Sequence, residues 1–312
     1  MNDQLERFMF EAGPVRGEYV SLKKTWRDVL DRRDYPAPVR AMLGEMMAAS
    51  ALLSANLKFD GALVMQIHGD GPVKMLVVQC NSDLSMRATA KLAVDVTSLP
   101  ENATMTELVN LNGQGRCAIT LDPREKPPGQ QPYQGIVPLS DDDGPITSIG
   151  GALEYYMQHS EQLDTRLWLA ADSERAVGVL LQKMPGTGGH ALASDDGDTW
   201  DRVCALAGTL KQDEMLSTEG DTLMHRLFWE ERRAHADSQP TRFACGCSRE
   251  KVGGMLTMLG RAEVDDILDE TGEVEVHCEF CNERYVFDRV DAVQLFTAPI
   301  PGDVSPAPEQ RH

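Results

Sequence analysis

Four cysteines near the C-terminal end carry the chemistry that is easiest to name. Cys245 and Cys247 form a C-x-C pair, Cys278 and Cys281 a C-x-x-C pair, and thirty residues separate the two. Two close thiol pairs joined by a short folded insert is the spacing of a four-thiolate zinc site. A tight turn presents two sulfurs to one ion, and a second pair from a distant segment completes the tetrahedron. Such a site has no open coordination position, so it suits a structural or redox role better than Lewis-acid catalysis. Cys80, Cys117 and Cys204 stand alone in apolar stretches and read as small buried hydrophobes. His277 adjoins the cluster, but four thiolates already fill the coordination sphere, so it reads as a flanking residue.

Other chemistries for the cluster fit less well. A thioredoxin-like C-x-x-C opens a helix after a strand. Here the motif precedes the strand-like run Arg284-Tyr-Val-Phe287, and a second pair exists. A zinc deaminase needs a ligand-x-Glu unit together with a Pro-Cys-x-x-Cys pair, and no proline directly precedes any cysteine of this chain. A nucleic-acid-binding zinc ribbon needs basic charge, whereas residues 241–297 hold six Lys/Arg against twelve Asp/Glu.

The elements around the cysteines describe a small module. Val274 and Val276 alternate with Glu273 and Glu275 as a strand, residues 277–282 make the turn, and Arg284 to Phe287 return. Val252, Met255, Leu256 and Leu259 recur at helical spacing, and Val264, Ile267 and Leu268 suggest a second short helix. So few core residues leave metal binding to supply much of the folding free energy.

The remaining chain reads as a body and a connector. Val39, Met42, Leu43, Met46, Met47, Ser50 and Leu53 fall on one face of a core helix. Strands are expected at Leu63–His68, Val73–Cys80, Met86–Val94, Cys117–Leu121, Gln134–Leu139, Arg166–Ala170 and Val177–Gln182, with a short helix at Leu153–Gln158. The fold class is therefore α+β: an antiparallel-rich sheet with packed helices, a helical linker and a small C-terminal four-cysteine zinc module. The expected divisions are 1–185, 186–240, 241–297 and a proline-rich disordered tail at 298–312. The linker carries five Lys/Arg and eleven Asp/Glu, so self-repulsion opposes its compactness. Neither a phosphate-binding loop nor a dinucleotide fingerprint is present.

Composition narrows the partners. Of 312 residues 42% are apolar, and 30 Lys/Arg against 49 Asp/Glu give a net charge of −19. Such a field repels phosphate backbones and anionic lipid, which argues against nucleic acid and membrane as partners. The longest apolar run, Ala41 to Leu57, is interrupted by Glu45 and is too short to span a bilayer. The acidic N-terminus has no apolar signal region, so a cytoplasmic location is expected, where clustered cysteines point to metal or redox chemistry.

The chain resembles the heat-shock protein 33 family, the redox-regulated 33 kDa chaperonins. The resemblance rests on Phe243-Ala-Cys-Gly-Cys-Ser-Arg-Glu250 and His277-Cys-Glu-Phe-Cys281. Supporting stretches are Val15-Arg-Gly-Glu18, Asn56-Leu-Lys-Phe-Asp-Gly61, Gly69-Asp-Gly-Pro72, Tyr133-Gln-Gly-Ile-Val137, Ser160-Glu-Gln-Leu-Asp-Thr-Arg166 and Leu180-Leu-Gln-Lys-Met-Pro185. Residues 122–132 and the glycine-rich start of the linker depart from the family pattern.

The resemblance implies a cytoplasmic, ATP-independent holdase, not an enzyme, that binds unfolding client proteins. It implies one Zn2+ per chain held by Cys245, Cys247, Cys278 and Cys281 in the reduced, inactive state. Oxidation would then pair Cys245 with Cys247 and Cys278 with Cys281, release the metal and unfold the linker. A homodimer when oxidised, and transfer of clients to ATP-dependent refolding chaperones, are also implied. We further expect Trp200, Val203, Leu206, Leu210, Leu223 and Phe228 of the linker to contact clients. The competing readings are a zinc-stabilised interaction or transcription-accessory protein whose cysteines never switch, and a dithiol oxidoreductase.

Overall fold

The computed structural model describes residues 3–93, 99–126, 131–142, 144–185 and 198–297. Val94, residues 127–130 of the departing loop, the linker opening at 186–197 and the tail at 298–312 lie outside them. The chain divides into two compact units, residues 1–244 and 245–312.

The first unit is built on two sheets. One is antiparallel throughout, with strands in the order β10 (Thr165–Ala171), β11 (Ala176–Lys183), β2 (Val15–Leu22), β1 (Gln4–Phe10) and β12 (Arg233–Pro240). The other runs β13 (Arg242–Phe243), β5 (Ser85–Leu92), β4 (Val73–Asn81), β3 (Gly61–His68), β6 (Arg116–Pro123) and β7 (Tyr133–Pro138). It is antiparallel except where β13 pairs with β5. A short ribbon joins β8 (Ser140–Asp141) to β9 (Gly144–Pro145).

Helix α2 (Ala37–Ser54) contacts strands of both sheets and is buried along most of its length. It is apolar nearly all round, as a helix enclosed by core must be. Pro36 and Pro38 start it without sacrificing an internal amide bond. Gly44 lets α2 approach β10: a Cβ there would lie 2.5 Å from that of Ala171. Helices α1 (Lys24–Leu30), α3 (Met105–Val109) and α4 (Ile149–Tyr156) complete this core, and α4 runs on into a π-helical turn at Met157–Glu161.

The β10–β11–β2–β1–β12 sheet buries both faces. Leu5, Val20 and Leu180 point toward α2, whereas Phe8, Phe10, Val15, Tyr19, Val179 and Leu181 form the opposite face. That second face is covered by α5 (Thr199–Ala207), α6 (Gln212–Ser217) and α7 (Gly220–Leu227). The 186–240 segment is thus not helical throughout: it ends in β12, whose sequence RAHADSQP lacks any apolar alternation. Main-chain pairing with β1 makes it a strand, not side-chain pattern.

The second unit holds α8 (Arg249–Leu259), α9 (Arg261–Thr271), the hairpin β14 (Val274–His277)–β15 (Arg284–Phe287) and α10 (Arg289–Thr297). Its core is small: Val252, Leu256, Val264, Leu268, Val274, Phe287 and Ala292. Met255 and Leu259 share the α8 periodicity yet lie half exposed, so the inward stripe is narrower than the spacing suggests.

Candidate metal centre

The two cysteine pairs reach one point from two different local structures. Cys278 and Cys281 sit in the β14–β15 turn, where the Asn282 amide donates to the Cys278 carbonyl at 2.9 Å and the Cys278 amide to the Glu283 carbonyl at 2.9 Å. Asn282 takes the left-handed conformation (φ 59°) that closes this turn, a conformation Asn tolerates better than most residues. Cys245 and Cys247 precede α8, which begins where the Ser248 side chain accepts from the Lys251 amide at 3.3 Å. Lys251 Nζ donates to the Gly246 carbonyl between the two cysteines. Arg249 ties α8 to the hairpin: its guanidinium lies 4.2 Å over the Phe287 ring and donates to the Val286 carbonyl at 2.6 Å.

All four Sγ atoms lie within 4.8 Å of one another. Cys245 Sγ is 3.7 Å from Cys278 Sγ, and Cys247 Sγ is 3.3 Å from Cys281 Sγ. These are not bonded distances, since a disulfide is about 2.05 Å. They approach the edge of a tetrahedron with metal–sulfur bonds of about 2.3 Å, which is roughly 3.8 Å. Both short contacts run between the motifs, so the site joins the chain before α8 to the hairpin after α9.

The electrostatics match the donor set. Burial first, and then the neighbouring sulfurs, push the Cys281 thiol well above its ordinary range. Burial also raises Cys247, although the Tyr285 hydroxyl, which donates to its sulfur at 3.1 Å, acts the other way. Cys247 and Cys281 therefore resist ionising alone, and a divalent cation among the sulfurs would reverse that preference. Four soft sulfurs at tetrahedral spacing with no carboxylate among them fit zinc. His277 lies outside the group: its Nε2 is 2.6 Å from Glu275 Oε1, and Arg284 donates to the other oxygen of that carboxylate at 2.6 Å.

The remaining cysteines behave differently. Cys80 and Cys117 are buried, and burial holds both thiols near 12. Cys204 is only half buried, on α5.

The six linker residues expected to meet clients come together, but not as an open surface. Val203, Leu223 and Phe228 are buried against the sheet, and Trp200, Leu206 and Leu210 pack partly buried around them. Phe228 meets Phe10 edge-on at 5.1 Å and Phe8 at 6.2 Å. The sheet residues beneath, Phe8, Phe10 and Tyr19, are hard to read from the sequence because both faces of this sheet are covered: β1 sends Leu5 to the α2 side and Phe8 and Phe10 to the other, with Glu6 and Arg7 between them. Among the described residues no helix is long and apolar enough to cross a membrane.

A mixed α+β body followed by a separate four-thiolate unit defines the class of protein: a globular domain with an appended metal-binding module. The family model described as Hsp33 protein matches residues 3–288. A 33 kDa chaperonin of Methylobacillus flagellatus is 48% identical over 313 aligned positions, covering 100% of this chain and 99% of its own. A 33 kDa chaperonin of Chromobacterium violaceum is 47% identical, covering 100% and 98%. The crystal structure of the 33 kDa chaperonin of Thermotoga maritima superposes with a TM-score of 0.76 at 23% identity, covering 95% of this chain and 98% of that one, a likeness of fold. The chain belongs to the Hsp33 family.

Proposed function

We propose that this protein is a redox-regulated, ATP-independent holdase of the cytoplasm that binds unfolding proteins and keeps them from aggregating. The observation that carries the reading is the four-sulfur cluster in a unit with few buried apolar residues. Cys245, Cys247, Cys278 and Cys281 would hold one zinc ion in the reduced state. When bound, the ion keeps all four sulfurs as thiolates, the form that oxidants attack. Two thiolates, one peroxide and two protons give one disulfide and two waters. Pairing Cys245 with Cys247 and Cys278 with Cys281 removes every donor. The new bonds close loops of only a few residues and restore little of the lost stability.

The functional divisions follow as 1–185, 186–240 and 241–297. Residues 186–240 are the responsive segment, and Trp200, Val203, Leu206, Leu210, Leu223 and Phe228 become available to clients when it is released. Its dense acidic charge and its docking through one apolar seam support this. Oxidised copies would associate as homodimers and pass clients to ATP-dependent refolding chaperones.

The test is light scattering from a thermally unfolding client. The chain is added either reduced and zinc-loaded or after peroxide treatment at raised temperature. Suppression by the oxidised sample alone supports the reading. No suppression by either sample overturns it and leaves a zinc-stabilised interaction module.

A further inference from the structure

Strand β12 is held unlike any other strand of its sheet. Six of its eight residues, Ala234 to Ser238 and Pro240, are exposed, and it has no large apolar residue. Side-chain anchors are few: Arg233 lies 5.2 Å over the Phe8 ring and 5.6 Å over that of Phe228, and Asp237 is 3.7 Å from Arg7 at the surface. What seats β12 is the antiparallel ladder to β1, from Gln4 opposite Pro240 to Phe10 opposite Arg233. The ladder extends one bond beyond the strand at each end, Thr241 N to the Asp3 carbonyl at 3.0 Å and Glu11 N to the Arg232 carbonyl at 3.0 Å.

Strand β1 is the opposite case. Leu5, Phe8 and Phe10 are buried, and β2 pairs along its other side. Once β12 leaves, β1 becomes a sheet edge with a row of unpaired amides and carbonyls beside an apolar face. Such an edge is a template for another extended chain. Main-chain pairing ignores sequence, which suits partners that share nothing except being unfolded. Side chains still contribute: His235 stands opposite Phe8 and Arg233 opposite Phe10. Directly paired residues share a sheet face, so an incoming strand with apolar residues at these two places lies against both rings.

We propose that the outer edge of β1, vacated by β12, captures an extended apolar segment of the unfolding client as an added antiparallel strand. The proposal rests on the release of the 186–240 segment described above. The polar β12 serves as an internal occupant that fits the ladder but gains little from the face, so an apolar segment displaces it once the segment is loosened. A client bound this way is held reversibly, because net gains per main-chain hydrogen bond are modest.

Hydrogen exchange read by mass spectrometry tests this on the full chain, with heat-unfolding citrate synthase as client. Three samples are compared: reduced and zinc-loaded, oxidised, and oxidised with client bound. Oxidation is expected to quicken exchange in residues 233–240 and in residues 4–10. Client is expected to slow residues 4–10 at least tenfold again while residues 233–240 stay fast. Residues 4–10 remaining within twofold of the client-free oxidised sample, with client demonstrably bound, would overturn β1 capture and leave the holdase reading standing. Residues 233–240 remaining slow after oxidation would overturn segment release and β1 capture together. Protection of residues 4–10 that rises with protein concentration in the client-free oxidised sample would overturn the client as occupant in favour of a second copy of the chain.

Discussion

Phe228→Ala should loosen the linker while leaving every cysteine in place. The ring is buried, packs edge-on against Phe10 at 5.1 Å and lies 6.2 Å from Phe8. Both partners belong to β1, so the lost packing falls on the association of the segment with the sheet. Removing a buried phenyl costs about 3–5 kcal/mol, part transfer and part unfilled space. Even the lower figure reduces the ratio of docked to released segment by about 100-fold. The assay is amide exchange across residues 199–227 of the reduced, zinc-loaded variant, with client light scattering run in parallel. Protection there should fall by about two orders of magnitude, and the reduced variant should suppress some aggregation where the wild type does not. Phe228→Leu, which fills most of the space, should lie between. If protection in 199–227 fell by less than about threefold while overall thermal stability dropped as expected, the seam would not be what holds the segment.

Three further outcomes can be checked. Cys281→Ser leaves three thiolates, so bound zinc measured by plasma emission should fall well below one per chain. Amides in 249–297 should lose protection, and a folded unit without zinc would mean that the small apolar cluster suffices. Gly220→Ala favours an isolated helix by about 1 kcal/mol, yet its Cβ would sit 2.2 Å from the Tyr19 ring. The variant should therefore lose protection in α7, and unchanged protection would show that Tyr19 gives way freely. Burial holds the Glu18 carboxyl at about 7 against an ordinary 4.5, despite a 2.7 Å hydrogen bond from Asn56. The folded state binds that proton more tightly than the unfolded chain, so this contribution is fully present below pH 4.5 and is lost as pH rises through 7. The loss is ~3 kcal/mol, and Glu18→Gln should flatten the fall in urea midpoint between about pH 5 and 8. An identical pH slope in the variant would remove Glu18 from the account.

What could be read from the sequence was what is local. The four clustered cysteines, the helices between them and the hairpin that presents Cys278 and Cys281 each follow from spacing within a few residues. Helix α2 announced itself by its period, and β3, β4 and β5 by apolar runs separated by turn residues. What was hidden is what depends on distant partners. Strand β12 has no large apolar residue and exists because β1, more than two hundred residues earlier, offers a ladder. Glu18 gave no sign of burial, since a carboxylate in a strand pattern reads as solvent-facing until Asn56 is placed beside it. The linker residues fall in one cluster, with Leu210 and Phe228 just beyond the ends of α5 and α7, but helical spacing says nothing about Phe8, Phe10 and Tyr19, the surface on which they lie.

The place of β1 and β12 at opposite ends of the first unit also sets a timetable for synthesis. By the time Lys183 has left the ribosome, β10, β11, β2 and β1 are all available to pair. The chain must grow by fifty-seven more residues before Pro240 completes β12. At about 5–20 residues per second that interval is about 3–11 s. Until α5 to α7 follow, Phe8, Phe10, Tyr19 and Val179 have no cover on that face, and the outer edge of β1 stays open until β12 is made. A newborn copy would thus pass through a stage like the released form proposed above before its own later residues arrive to cover it, and crowded polysomes are where that stage would first meet a neighbour.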